Sequence, residues 1–199
     1  MKIKFLILLA AFCAVSLLSQ AQSESGLIVG GGIGSLKTDI NPSFGGGTTI
    51  VNKIDYKANF SVGYRFRLRP LGISPLFLDL DAGLGLKLWH SDYGKSHLTP
   101  SLYEASSQYF FVAASGMVGY PLYKGLRVAA GIEPTYYFRQ NGEYSKNSFD
   151  IPLAGKIAYN FNVFEIGVSY KHGLMNVVKT SHLDSGKFRD WQLSVWIPF

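Results

Sequence analysis

The residues with the types and spacing for chemistry are few. Asp79 and Asp81 are paired carboxylates two positions apart, the arrangement that general acid–base work uses. His90-Ser91-Asp92 contains the three residue types of a hydrolytic triad, but sequence neighbours seldom meet as a triad. The four histidines, His90, His97, His172 and His182, fall in or beside segments that read as long loops, and none has metal-ligand spacing to another. Gly30-Gly31-Gly32-Ile33-Gly34 lacks the spacing of a dinucleotide fingerprint, and no helix follows it. The one cysteine, Cys13, lies in the amino-terminal apolar run, so the chain beyond it has no thiol for a disulfide, metal site or nucleophile. The expectation is therefore of no catalytic centre, no metal and no cofactor, with the carboxylates serving structure.

The segments that carry these residues read as strands. Between Tyr56 and Arg69, Tyr56, Ala58, Phe60, Val62, Tyr64, Phe66 and Leu68 alternate without a break against Lys57, Asn59, Ser61, Gly63, Arg65, Arg67 and Arg69. A period of two places these sets on opposite faces of a strand. The same alternation recurs in Leu76–Trp89, in the stretch around Tyr109–Tyr120, in Leu126–Arg139, in Phe149–Phe161, in Phe164–Lys171 and in Phe188–Phe199. Gly26–Leu36 is expected to be the first strand, although its glycines leave its facing open. Connections alternate long and short: loops at 37–52, 90–107, 140–148 and 173–187, turns at 70–75, 121–125 and 162–163. An even number of strands joined in this way predicts an all-β, eight-stranded antiparallel up-and-down transmembrane β-barrel, with short periplasmic turns and longer extracellular loops.

Facing follows from where the aromatics collect. On the apolar faces Phe110, Tyr136, Phe138, Tyr170 and Trp191 sit toward the long-loop end, and Tyr64, Phe66, Tyr120, Tyr159 and Phe199 toward the short-turn end. Leu, Ile, Val and Ala lie between them. Two aromatic girdles around an aliphatic band are what membrane interfaces select, so the apolar face is expected to meet lipid. The polar face then lines a lumen too narrow for a pore. Its charges must pair, because an unpaired buried charge is costly. The expected network comprises Arg65, Arg67, Asp79, Asp81, Glu133, Lys156, Arg139, Asp150, Lys171 and Asp190. Hairpin geometry brings Arg65 and Arg67 to Asp79. A single register pairs Glu133 with Lys156 and Arg139 with Asp150, and the last hairpin pairs Lys171 with Asp190.

The start of the chain reads as a signal peptide over residues 1–21, with Lys2 and Lys4 before an apolar run and Ser19-Gln20-Ala21 as the cleavage site. Residues 22–199 are expected to form one barrel domain. Losing the two lysines lowers the formal net charge from +6 to +4. With no Lys/Arg run, nucleic acid is not an expected partner, whereas membrane lipids are. In the last strand Trp191, Leu193, Val195, Ile197 and Phe199 share the outward face, and Asp190 is expected to be the main inward contribution.

These features resemble the small outer-membrane barrels of the OmpA/OmpX kind. The Gly-rich first strand, Tyr170-Lys171-His172-Gly173-Leu174-Met175-Asn176-Val177 and the strand Trp191–Phe199 further resemble the PorT-like outer-membrane β-barrel family. Pro198 departs from the pattern, since it cannot donate a hydrogen bond near the end of the closing strand. The resemblance implies an integral protein of a Gram-negative-type outer membrane, inserted by the β-barrel assembly machinery through its last strand. The function expected is a closed, non-porin barrel with a structural or surface-binding role through its loops, especially 90–107 and 173–187. Lipid-modifying enzymes and secretion-associated components are the alternatives.

Overall fold

Strand-forming alternation becomes a closed wall in the computed structural model, which describes residues 22–40, 54–69, 75–93, 103–140, 148–177 and 183–199. The signal-peptide expectation for residues 1–21 lies outside the described residues, as do His97 and His182. The elements are β1 (Gln22–Ile40), β2 (Ile54–Arg69), β3 (Phe77–Tyr93), β4 (Tyr103–Tyr123), β5 (Leu126–Ile132), β6 (Thr135–Gln140), β7 (Phe149–Asp150), β8 (Leu153–Asn160), β9 (Glu165–His172) and β10 (Leu183–Pro198). β5 and β6 are two halves of one stave: β4 pairs with both, through Gly116 opposite Ile132 and Ala113 opposite Thr135. β7 and β8 form a second broken stave. Every stave is antiparallel to its neighbours, and β1 pairs with both β2 and β10, so the sheet closes as an eight-stranded barrel.

Both breaks are proline effects. Pro134 and Pro152 have no amide hydrogen to give to a ladder. The Glu133 amide still donates to the Pro152 carbonyl at 2.9 Å, and the Ala114 amide to the Pro134 carbonyl at 3.0 Å. Ala129 faces Lys156 and Thr135 faces Asp150 across this pair of staves. The register that would have paired Glu133 with Lys156 is therefore four residues out of step, and both pairings drawn from it are corrected. In the observed register the two prolines fall at neighbouring rungs, so both missing donors are collected in one interruption.

Strands run further than the apolar pattern does. β1 extends to Ile40, β3 to Tyr93, and β4 starts at Tyr103, so the expected loops at 37–52, 90–107 and 173–187 are each shorter than their polar stretches. Backbone pairing needs no apolar side chains, and it continues past the apolar band. At the other end, Lys124 (φ 35°) and Gly125 (φ 92°) form a two-residue hairpin turn. Positive φ at both central positions matches the right-handed twist of the strands it joins, and glycine takes it without strain.

The two faces separate as the alternation implies. Ile33, Leu84, Val118, Ile157 and Leu193 point outward and are 54–64% exposed, while Arg65, Arg67, Asp79 and Glu165 point inward and are at most 2% exposed. The facing of β1 is now settled. Leu27, Val29 and Ile33 are exposed, and Gly26, Gly30, Gly32 and Gly34 line the inside. A Cβ on Gly30 would collide with Gln192 and Ser61. Its absence lets Gln192 of β10 donate to the Ser61 hydroxyl of β2 across the intervening strand.

Candidate functional site

Inside the short-turn end, the lumen is filled by a single ionic cluster. Arg67 of β2 faces Asp79 of β3, and Arg65 faces Asp81. Side chains at directly opposed inward positions are close enough for two-pronged pairing. Arg67 donates from Nε and Nη2 to the Asp79 oxygens at 2.6 and 2.9 Å, and Arg65 from Nε and Nη2 to the Asp81 oxygens at 2.7 and 2.7 Å. Lys156 of β8 reaches Asp79 Oδ2 at 2.6 Å. The hub is Glu165 of β9. It accepts from Arg67 Nη1 at 2.7 Å, from Arg67 Nη2 at 3.0 Å, from Arg127 Nη1 at 2.8 Å and from Arg65 Nη1 at 3.3 Å. Four cations thus surround three carboxylates, each of which accepts from at least one of them. The Arg67 guanidinium also lies between two rings, 4.4 Å from the centroid of Trp196 and 4.5 Å from that of Phe77.

The long-loop end is filled differently. Tyr109, Phe111, Tyr137, Val177 and Phe188 form a buried apolar cluster. Lys87 sits within it, its Nζ donating to Asp190 Oδ2 at 2.6 Å and to Tyr137 Oη at 3.0 Å, with the Phe188 ring centroid 4.4 Å away. Val177 reaches this cluster because residues 173–177 fold back into the barrel mouth. Asp150 Oδ1 accepts from the amides of Ile151 (2.8 Å), Leu174 (3.1 Å) and Met175 (2.8 Å). The Gly173 amide donates to the Phe188 carbonyl, and the Val177 amide to that of Gly186. A Cβ on Gly173 would press on Asp150, so glycine is needed for the close approach.

Between the two fillings lies a cavity of about 60 Å³, lined in part by Ser61, Ser115, Ser169, Gln192 and Ser194. Apolar groups, among them Phe111, Ala113 and Met117, make up the rest of the lining, and the polar side chains can hold a few ordered waters. Lys171 and Glu133 pair at its side at 2.6 Å.

Of the residues expected to form the network, Arg65, Arg67, Asp79, Asp81 and Lys156 come together in one cluster. Glu133 and Lys171 pair with each other, and Asp190 pairs with Lys87. Asp190 and Lys171 are backbone partners, as the last hairpin predicted, yet their side chains go to other strands, so the expected ion pair between them is corrected. Asp150 is a latch for backbone amides, and the Arg139 side chain lies outside the described residues. Sequence reasoning missed Glu165, Arg127, Lys87 and Trp196. All four have inward parity, which was the available signal. Hairpin registers rank only sequence-adjacent strands, whereas Glu165 meets Arg65 and Arg67 from across the lumen. Trp196 also corrects the expectation that the last strand gives the interior little beyond Asp190: it is 2% exposed and packs on two arginines.

No family model matches the chain, and no curated protein matches it. Among solved structures, it is similar to Ail, the attachment invasion locus protein of Yersinia pestis. The complex of Ail with the heparin analogue sucrose octasulfate is 13% identical with a TM-score of 0.45, over 89% of this chain and 99% of that one. Ail alone is 15% identical with a TM-score of 0.43, over 89% and 99%. The outer membrane protein Ail in a phospholipid bilayer nanodisc is 14% identical with a TM-score of 0.43, over 89% and 100%.

Proposed function

We propose that this chain is an integral outer-membrane barrel, closed to diffusion, whose role is structural or surface-binding through its long-loop end. One observation carries the reading: aliphatic side chains from all eight staves are exposed together around the wall. Leu84, Ile157 and Leu193 are each more than half exposed, and a band of this kind is stable only against hydrocarbon. Aromatic pairs at both ends support it, Tyr170 with Trp191 at the long-loop end and Tyr159 with Phe161 at the short-turn end. The two fillings of the lumen argue against a pore.

The outward residues of β10, Trp191, Leu193, Val195 and Ile197, with Phe199 just beyond it, are read as the closing seam and as the strand the β-barrel assembly machinery engages. The finer likeness to the PorT-like family rests largely on residues 170–177, of which 173–177 are latched and plug the mouth here. That role gives no support to a part in secretion. Lipid modification is not favoured either, because Asp79 and Asp81 are both held by guanidinium groups.

The test is fractionation followed by bilayer recording. The protein is expected in the outer-membrane fraction after alkaline washing and, folded into planar bilayers, to give no steady conductance. Recovery as a soluble periplasmic protein would overturn the membrane reading, and stable open channels would overturn the closed lumen.

A further inference from the structure

The geometry points to a binding site for the phosphate group of an outer-leaflet lipid on the outward face of β9 and β10, formed by Arg189, Lys187 and His172. This rests on the membrane reading above. Going up β10 on its outward face, the residues are Leu193, Trp191, Arg189 and Lys187. Polarity passes from aliphatic to aromatic to cationic over six residues, about 20 Å of strand. That is the order of environments from hydrocarbon through interface to headgroup. On β9, Tyr170 is paired with Trp191 and His172 with Arg189, so the neighbouring stave repeats the sequence at the same level. The Tyr170 and Trp191 rings pack at 4.9 Å, and the Tyr170 hydroxyl lies 3.4 Å from His172 Nδ1, giving a fixed floor beneath the cations.

These cations differ from those inside. Arg65, Arg67, Lys87, Arg127, Lys156 and Lys171 each meet a carboxylate. Among the described residues, neither Lys187 nor Arg189 does. Arg189 Nε is moreover shut off from solvent without a hydrogen-bond acceptor. A buried donor left unpaired is costly, and no described residue satisfies it. The guanidinium fork of Arg189 beside the Lys187 ammonium, neither with a carboxylate partner among the described residues, fits a phosphate ester. The lipid is the source because the apolar surface continues directly below, where Leu193, Val168 and Ile33 are exposed for acyl chains.

The test reconstitutes the mature full chain in phosphatidylcholine nanodiscs containing a minor fraction of diphosphoryl lipid A. Lipid retained on the released barrel is then counted by native mass spectrometry. Wild type is expected to retain lipid A, and K187Q/R189Q to retain it about tenfold less, equivalent to losing one strong charged contact. K124Q, at the opposite end, is expected to behave as wild type. If the double variant fails to fold, K187Q alone is read, with a smaller loss expected in the same direction. Equal retention by wild type and variant overturns the site. Equal retention of dephosphorylated lipid A overturns the phosphate assignment, and displacement of lipid A by inorganic phosphate overturns the lipid source. Failure of wild type to enter nanodiscs at all is a separate result, and it overturns the membrane reading.

Discussion

The two ends of the lumen solve one packing problem by different means. At the short-turn end, Arg65, Arg67, Arg127 and Lys156 are knit to Asp79, Asp81 and Glu165, with Trp196 and Phe77 covering the guanidinium faces. At the long-loop end, five apolar side chains surround a single lysine and its aspartate. The ionic end is built from rigid neighbouring staves whose registers present charges at fixed spacing. The aromatic end depends on residues 173–177, a segment outside the sheet that must be drawn in and held by Asp150. Charge pairing demands geometry that a wall supplies. Apolar packing tolerates the less regular geometry of a folded-in loop.

That contrast can be broken experimentally. Replacing the hub should cost most. Glu165→Ala leaves three arginines and a lysine short of a partner, and about 3–5 kcal/mol of unfolding free energy should be lost. Denaturant unfolding of the micelle-folded barrel measures it, and a loss under 1 kcal/mol would mean the cluster does not hold that end. Phe188→Ala should cost somewhat less, about 3 kcal/mol, since it vacates an apolar core that the 173–177 segment, which lies outside the sheet, can refill in part. If it matched or exceeded Glu165→Ala in the same assay, the ranking of the two ends would be reversed.

Unlatching comes next. Asp150→Ala removes an acceptor shared by three amides and should cost about 1–3 kcal/mol. Its signature should be local, with faster proteolysis within 173–177 while the wall stays protected. Uniform cleavage would show that Asp150 supports the wall rather than the plug. The smallest effect belongs to the rim. Arg69 and Glu24 pair at 2.7 Å but are about two-fifths exposed, so Arg69→Ala should change stability by at most about 1 kcal/mol, and less in high salt.

The alternation of Tyr56–Leu68 against Lys57–Arg69 was enough to assign strands, facing and, with the pattern of turns, an eight-stave barrel. Arg67 opposite Asp79 was legible too, because the short turn between β2 and β3 leaves little freedom of register. Across residues 141–147 the same reasoning slipped. Parity survives a four-residue shift, so alternation alone could not choose between partners, and placing Pro134 beside Pro152 did.

The chain by itself therefore determined which side chains face inward and which outward, because a period of two admits only those two choices. It left the facing of β1 open, and the structure placed Gly26, Gly30, Gly32 and Gly34 inside. Which inward groups meet was decided by closure. Bending the sheet into a barrel brings Glu165 to Arg65, a hundred residues away in sequence, and Gln192 to Ser61 over the glycines between them. Those contacts run through space across a lumen, and no local rule of sequence carries them.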